Sequence, residues 1–403
     1  MTKLKELIKE LCPNGVPQKR LDEICHILDN KRKPITKSAR EFGIYPYYGA
    51  NGIQDYVSDY IFDGTYILIG EDGSVITASG NPVVSWVTGK VWGNNHAHIL
   101  GEKEGVLLRY LFHYIQTIDI SSLVHGNIPK LTGGDLRALQ IPVPPIPVQE
   151  EIVRILDSFT ELTAELTAEL AARKKQYEYY RNALLNNHTL QSNLCSISEL
   201  GKWSGGKTPS MERKEFWTNG TIPWISSKDM KEPTLSDTED HISEQAVSEA
   251  SMTIYPKHCI AIVTRSGILK HTLPVSYVPF ATTVNQDIKV LVPNERVLPR
   301  FAYHLLQTYS DDIRAKTKKQ GGTVDSLDFQ AVLSYKVPVP PKDVQERLIQ
   351  VLDNFDSICS DLKIGLPAEI EARKKQYEFY RDKLLSFKET PTYEQKKEIS
   401  KTE

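Results

Sequence analysis

ARKKQYEYYR at residues 172–181 returns as ARKKQYEFYR at residues 372–381, and the two copies differ only where Tyr179 gives way to Phe379. Each copy closes a long helical pattern that opens on a proline run followed by Val-Gln-Glu, Val148–Glu150 in the first case and Val344–Glu346 in the second. The offset, 372 − 172 = 200 residues, is far longer than the roughly 20–50 residues of a stacking solenoid. The repeated object is therefore a domain followed by a helix. A chain duplicated in this way suits a partner that is itself in two parts.

Working outward, Leu4–Leu11 has the pattern of a short amphipathic helix stopped by Pro13, Asn14 and Gly15. Residues 17–140 alternate short apolar runs (Tyr66–Ile69, Val83–Val87, Ala97–Leu100) with Gly, Asn and Asp turns, then carry one helical stretch, Leu107–Ile118. This predicts a mixed α+β domain. The proline runs at Ile141–Pro147 and Val337–Pro341 read as stiff extended connectors that hand over to the helices. The second globular region, about 195–336, repeats the first at low identity. Cys259–Val263 parallels Tyr66–Ile69, Arg300, His304 and Gln307 fall in register with Arg109, His113 and Gln116, and Gly321-Gly322 answers Gly126-Asn127.

In the first long helix, Ile152, Ile155, Phe159, Leu162, Leu166, Leu170, Arg173, Tyr177, Tyr180 and Leu184 recur at steps of three and four, a coiled-coil seam with one stutter. The second gives Leu348, Val351, Phe355, Ile358, Leu362, Leu366, Ile370, Arg373, Tyr377, Tyr380 and Leu384, one four-residue step longer, with the extra turn at Lys363–Leu366 and a bend at Gly365 and Pro367. A seam sustained this far needs a partner, and the expectation is that the two helices pair antiparallel; the alternative is that each packs only on its own domain. Residues 148–185 as one helix would span about 57 Å. Within it, Thr163–Leu170 reads TAEL twice. One unit more or less would shift the far end by about 6 Å and turn it by about 40°, so the tandem has the properties of a ruler.

Composition supports two folded domains: 403 residues, 40% hydrophobic, 25% charged. Five scattered cysteines without a C-x-x-C pair, no secretion signal and no apolar span point to a reduced, cytoplasmic protein. The net charge of −2 gives no global sign of a polyanionic partner.

Sites for chemistry are scarce. Gly201–Thr208 satisfies the string G-x-x-x-x-G-K-[ST], but Pro209 follows at once where a phosphate-facing helix should begin, and the matching stretch Cys25–Pro34 lacks the glycines. A nucleotide-binding enzyme resting on Gly206, Lys207 and Thr208 is the weaker alternative. The histidines show no metal-ligand spacing, His96 and His98 being assigned structural or surface roles, and no metal is expected. No G-x-S-x-G elbow and no Asn/Asp-Pro-Pro-aromatic methyltransferase motif is present. No catalytic residue is assigned.

What remains suits recognition. Lys31, Arg32, Lys33, Lys37 and Arg40 precede Tyr45, Tyr47, Tyr48, Asn51 and Gln54 in the first half. The second half offers Lys202, Trp203, Lys207, Thr208, Arg213, Lys214, Ser226, Ser227, Lys228, Arg265, Lys270 and the run Lys316–Gln320 with Lys318 and Lys319. Lysine and arginine neutralise phosphates, while Asn, Ser and Arg can read base edges, so basic loops interleaved with amides and aromatics suit a DNA surface. From these the candidate DNA-binding set is Lys31, Arg32, Lys33, Lys37, Tyr48, Asn51, Lys207, Thr208, Ser226, Ser227, Lys228, Arg265, Lys270, Lys318 and Lys319. The candidate spacer seam is Phe159, Leu162, Leu166, Leu170, Phe355, Ile358, Leu362 and Leu366.

The proline runs, Val-Gln-Glu starts, TAEL tandem and the phrase at 172–181 and 372–381 together resemble the specificity subunit of type I restriction-modification enzymes, in the branch with a TAEL tandem repeat. The likeness extends to about Phe387. It implies an α+β fold in which two pseudo-symmetric mixed α/β target-recognition domains are separated by two long helices forming an antiparallel coiled coil. The expected divisions are a first recognition domain at 1–146, a central spacer helix at 147–186, a second recognition domain at 187–341, a distal spacer helix at 342–387 and a disordered tail at 388–403. The resemblance implies a non-catalytic subunit that reads a bipartite, asymmetric site in double-stranded DNA, one half per domain. Its expected partners are two methylation subunits and the restriction subunits, with no membrane. S-adenosylmethionine, ATP and Mg are expected in those partners and no cofactor in this chain. The repeated phrases and proline connectors are expected to dock the methylation subunits; an equal alternative is that Tyr177, Tyr180, Tyr377 and Tyr380 serve the seam alone. A coiled-coil scaffold without DNA readout is the remaining rival.

Overall fold

The computed structural model describes residues 2–73, 75–186, 194–319, 324–360 and 364–388. The chain divides into two compact units, Met1–Glu165 with Ile370–Glu403, and Leu166–Glu369.

The first unit is built on a six-stranded sheet whose strands lie in the order His26–Ile27, Ala97–Gly101, Phe62–Gly70, Val84–Gly93, Phe42–Gly49, Gly52–Val57. The side-chain period of a strand sends Ile67 and Ile69 to one face and Leu68 to the other. Ile67 and Ile69 join a core with Leu100, Tyr110, Leu111 and Ile115, whereas Leu68 joins a smaller cluster with Val87, Val91 and Ile99. Both faces being covered, Ile67–Gly70 is buried throughout. The expected helices are found at Thr2–Leu11 and Leu108–Ile115.

The second unit keeps the centre of this plan and changes its margin. A four-stranded sheet runs Gly201–Gly205, Ile288–Pro293, Cys259–Val263, Val275–Val278, and a separate three-stranded sheet runs Asp240–Ile242, Ile222–Ile225, Thr283–Val284. Cys259–Val263 is fully buried between the same kinds of neighbours as Phe62–Gly70. The helix Pro299–Thr317 takes the place of Leu108–Ile115 and is more than twice as long.

Each proline connector is a short strand that closes its domain. Gln140–Pro142 pairs antiparallel with Gln18–Arg20, and Lys336–Pro338 with Leu194–Ser196. The central helix then runs Ile146–Leu185 without a break, with Pro147 in its first turn, where a missing N–H costs nothing. The glutamine of each Val-Gln-Glu is a fully buried plug. Gln149 accepts from the Leu107 amide and donates to the carbonyls of Gly105 and Pro144; Gln345 accepts from the Leu298 amide and donates to those of Arg296 and Pro340. The identical bonding explains why these residues recur unchanged.

In place of one distal helix there are two, the return helix Lys342–Ser360 and the closing helix Leu366–Leu384, with Ile364 and Gly365 turning before the latter. Gly365 favours no helix and Pro367 lacks the N–H that would continue one. The expected extra turn lies partly outside the described residues, as do Leu362 of the seam, Gln320, Gly321-Gly322 and nearly all of the expected tail. In the first unit Phe159 stacks on Tyr380, ring centroids 5.3 Å apart. In the second, Tyr177 and Tyr180 stack on Phe355 at 6.3 and 5.7 Å. Leu162, Leu166, Leu170 and Leu366 are half-buried, and Ile358 is exposed.

Two polar sockets tie these helices to the domains. In the first unit Arg109 Nε and His113 Nε2 both lie 2.8 Å from Asp157 Oδ1, and His113 Nδ1 lies 2.9 Å from the Tyr377 hydroxyl. In the second, Arg300 Nη2 and His304 Nε2 lie 2.6 and 2.7 Å from Asp353 Oδ1, and the Tyr177 hydroxyl lies 3.2 Å from His304 Nδ1. Burial pushes both imidazoles below their ordinary pKa, against the hydrogen bond each makes to its aspartate. A neutral imidazole has one N–H, so Nε2 donates to the carboxylate and Nδ1 accepts from the tyrosine.

Candidate nucleic-acid interface

The basic residues of the first half sit on a loop folded over the outer hairpin of the six-stranded sheet. Tyr47 holds this loop, its hydroxyl taking the Ile35 amide at 3.0 Å, and Trp92 Nε1 donates to the Lys33 carbonyl at 2.6 Å. Lys31, Lys33 and Lys37 are left exposed, with Asn51 exposed at the hairpin turn, where Gly52 takes φ +94°. Tyr48 is half-buried on the inner strand, and burial pushes its phenol above the ordinary value, with Tyr56 adding to this.

Arg32 is placed differently. Its guanidinium lies 2.5 Å from Glu71, 3.5 Å from Asp29 and 2.8 Å from the Ala97 carbonyl, and its side chain is only 13% exposed. His98, buried, bonds Asp29 at 2.6 Å, and Lys130 reaches Glu71 at 3.2 Å. Burial resists ionisation of Asp29, yet His98 and Arg32 outweigh it and hold the carboxyl below its ordinary value. Asp29, Glu71 and His98 are close enough to share a cation, but Arg32 already bridges both carboxylates. The arginine supplies framework here.

In the second half residues distant in sequence gather along one edge of the domain, at the ends of the two central strands, Cys259–Val263 and Ile288–Pro293, of the four-stranded sheet. Thr208 donates to Gln286 Oε1 at 2.5 Å; the Asp287 carbonyl accepts from the Thr264 amide; Arg265 bridges to Ser326; and the Lys319 amide donates to the Ser326 carbonyl. Arg265, Lys318 and Lys319 are exposed along this edge, Lys318 pairing with Asp325 at 3.0 Å. Lys270 is exposed at the end of the short helical turn Gly267–Lys270. The loop Ser226–Lys228 follows the strand whose last residue, Ile225, takes the Asn285 amide. Ser226 is itself buried and bonded to Asp229, Ser227 is half-buried, and Lys228 is exposed near Glu239 and Asp240.

The apparent phosphate loop is a strand. Gly201–Gly205 pairs with Ile288–Pro293, the Lys207 amide bonds the Val284 carbonyl, and Lys207 Nζ bonds the Ala250 carbonyl at 3.1 Å. Gly206 is needed because a Cβ there would lie 1.7 Å from the Val284 carbonyl oxygen. Sequence reasoning missed Lys130, Gln286 and Asn285, which carry no local signal and become neighbours of the basic residues only through the fold. Among the described residues no helix is long and apolar enough to cross a membrane.

Comparison with known proteins agrees on one family. The family model described as type I restriction modification DNA specificity domain matches twice, over residues 13–187 and 191–372. The EcoR124I/EcoR124II type I restriction enzyme specificity subunit of Escherichia coli is 43% identical over 293 residues, covering 71% of this chain and 72% of that protein. A Haemophilus influenzae relative, whose name assigns it the same subunit type, is 35% identical over 395 residues, covering 94% and 98%. The fold matches the crystal structure of the type I restriction-modification S subunit from M. genitalium with a TM-score of 0.57 at 17% identity, over 92% of this chain and 96% of that one. With duplicated domains, repeated helix phrases and two family matches in tandem, the chain belongs to the type I restriction-modification DNA specificity family.

Proposed function

We propose that the chain is the DNA-reading subunit of a type I restriction-modification complex, each recognition domain reading one half of a bipartite, asymmetric site while the long helices set the gap between the halves. The observation that carries this reading is the family match falling once on each half of one chain. The domains share their central strands but differ at the sheet margins, a six-stranded sheet against a four- and a three-stranded one, so the half-sites they read differ. Exposed lysines around the first hairpin and along the Arg265–Lys319 edge neutralise phosphates. Asn51, Gln286 and Thr208 are suited to base edges. The pairing of helices as an antiparallel spacer is supported by the Phe159–Tyr380 stack in the first unit and the Tyr177–Phe355 stack in the second. The TAEL tandem is the adjustable part of that spacer. Methyl transfer and cleavage belong to partner subunits carrying S-adenosylmethionine, ATP and Mg; a solved structure whose title concerns complex assembly of the type I R-M system matches over 93% of this chain with a TM-score of 0.56.

Single-molecule methylome sequencing of a strain with and without this gene tests the reading. A two-part methylated motif with unread bases between its halves should appear only when the gene is present. A continuous motif, or one that persists without the gene, contradicts it.

A further inference from the structure

The two sockets differ from ordinary helix packing in where their fourth member comes from. Arg109 and His113 belong to the first domain and Asp157 to the helix that follows it, but Tyr377 comes from the closing helix, 264 residues from His113. Arg300 and His304 belong to the second domain and Asp353 to its own following helix, but Tyr177 comes from the central helix, 127 residues from His304. Tyr177 and Tyr377 are the same residue of the repeated phrase. The arginine four residues on caps each ring, Arg181 over Tyr177 at 5.3 Å and Arg381 over Tyr377 at 5.7 Å.

We propose that Tyr177 and Tyr377 are positioning residues: each phrase inserts its tyrosine into the Arg-His-Asp socket of the opposite half of the sequence, fixing the angle at which a recognition domain is held against the spacer helices. This rests on the spacer reading above and adds the residues that transmit it. Both histidines are fully buried, Tyr177 is buried and Tyr377 is half-buried. A hydrogen bond through a buried imidazole is directional, whereas the surrounding apolar contacts tolerate rotation. The helices bring van der Waals contact at many angles; the hydroxyl selects one. The same logic accounts for the repetition of Tyr177 and Arg181 as Tyr377 and Arg381 around a shared contact while the margins of the domains diverge.

The experiment uses the chain assembled with its methylation subunits. Methylation rates are compared on duplexes carrying the native two-part target and on duplexes whose gap is one base pair longer or shorter. Tyr177→Phe, Tyr377→Phe and the double variant keep each ring and remove only the hydroxyl. Tyr180→Phe and Tyr380→Phe make the same change three residues on, where the rings stack on Phe355 and Phe159. Preference for the native gap is expected to fall about fivefold for each socket variant, the effect of one hydrogen bond, and further for the double variant, with half-site bases unchanged and the control variants retaining full preference. Where the double variant does not assemble, the two single variants are scored alone. A selective wild type with equally selective socket variants overturns the inference, as does an equal loss in the controls. A wild type indifferent to the gap overturns the spacer reading, and the inference with it.

Discussion

Gln149 satisfies the Leu107 amide and the Gly105 and Pro144 carbonyls from a fully buried position, so Gln149→Ala removes the side-chain partner of three backbone groups, of which the Pro144 carbonyl is the buried one. A loss of about 2–3 kcal/mol follows, or about 5–10 °C in Tm for a unit of this size, and Gln345→Ala should match it; calorimetry checks this, and a change under about 1 °C would contradict it. The socket histidines make stability depend on pH. Facing His113 are Asp157, Arg109, Tyr377 and Arg381; facing His304 are Asp353, Asp356, Arg300 and Tyr177. With folded pKa values lowered from 6.5, the unfolded chain takes up these two protons first as the pH falls. Their contribution is complete above about pH 6.5 and is lost as the pH drops through the folded values. Tm should therefore decline between about pH 7 and pH 5.5, and the His113→Gln, His304→Gln double variant should show a flatter profile; equal slopes would contradict the assignment. Arg and His in matching positions were visible in the sequence as Arg109, His113, Arg300 and His304. Their tyrosine partners were legible only as a repeated phrase, because no local pattern connects residues 264 positions apart.

At the scale of elements, the strands around Phe62–Gly70 and Cys259–Val263 were legible because buried strands leave apolar runs between turns. The unequal sheets were not: a short strand such as Thr283–Val284 owes its place to a parallel pairing with Trp224–Ile225, not to its own sequence. The distal helix was legible as a seam, and its division was signalled by Gly365 and Pro367, residues that a continuous helix would avoid. The basic edge was half legible. Lysine clusters marked Lys318 and Lys319, but Arg32 carries the same charge and is consumed by Asp29 and Glu71. This edge makes its own prediction: Arg265→Ala and Lys319→Ala should each weaken DNA binding by the methylating complex on all sequences alike and lower the salt-dependence slope by about 1. Titration of binding against salt checks it, and an unchanged slope would remove this edge from the interface.

For the whole molecule, duplication is the organising fact. Each half supplies a domain, a closing strand pair, a glutamine plug and a socket, and each socket is completed by the phrase that belongs to the other half. The repeat was readable directly, since ten residues returned nearly unchanged after two hundred; the exchange of tyrosines was readable only from the fold. If the helices are the spacer, their length should set the separation of the half-sites and nothing else. The most direct measurement is the map of methylated bases in cells carrying a deletion of Thr163–Leu166, one unit of the TAEL tandem. The account predicts unchanged bases within each half-site and a shorter unread gap between them. An unchanged gap with methylation intact, or altered bases inside a half-site, would contradict it.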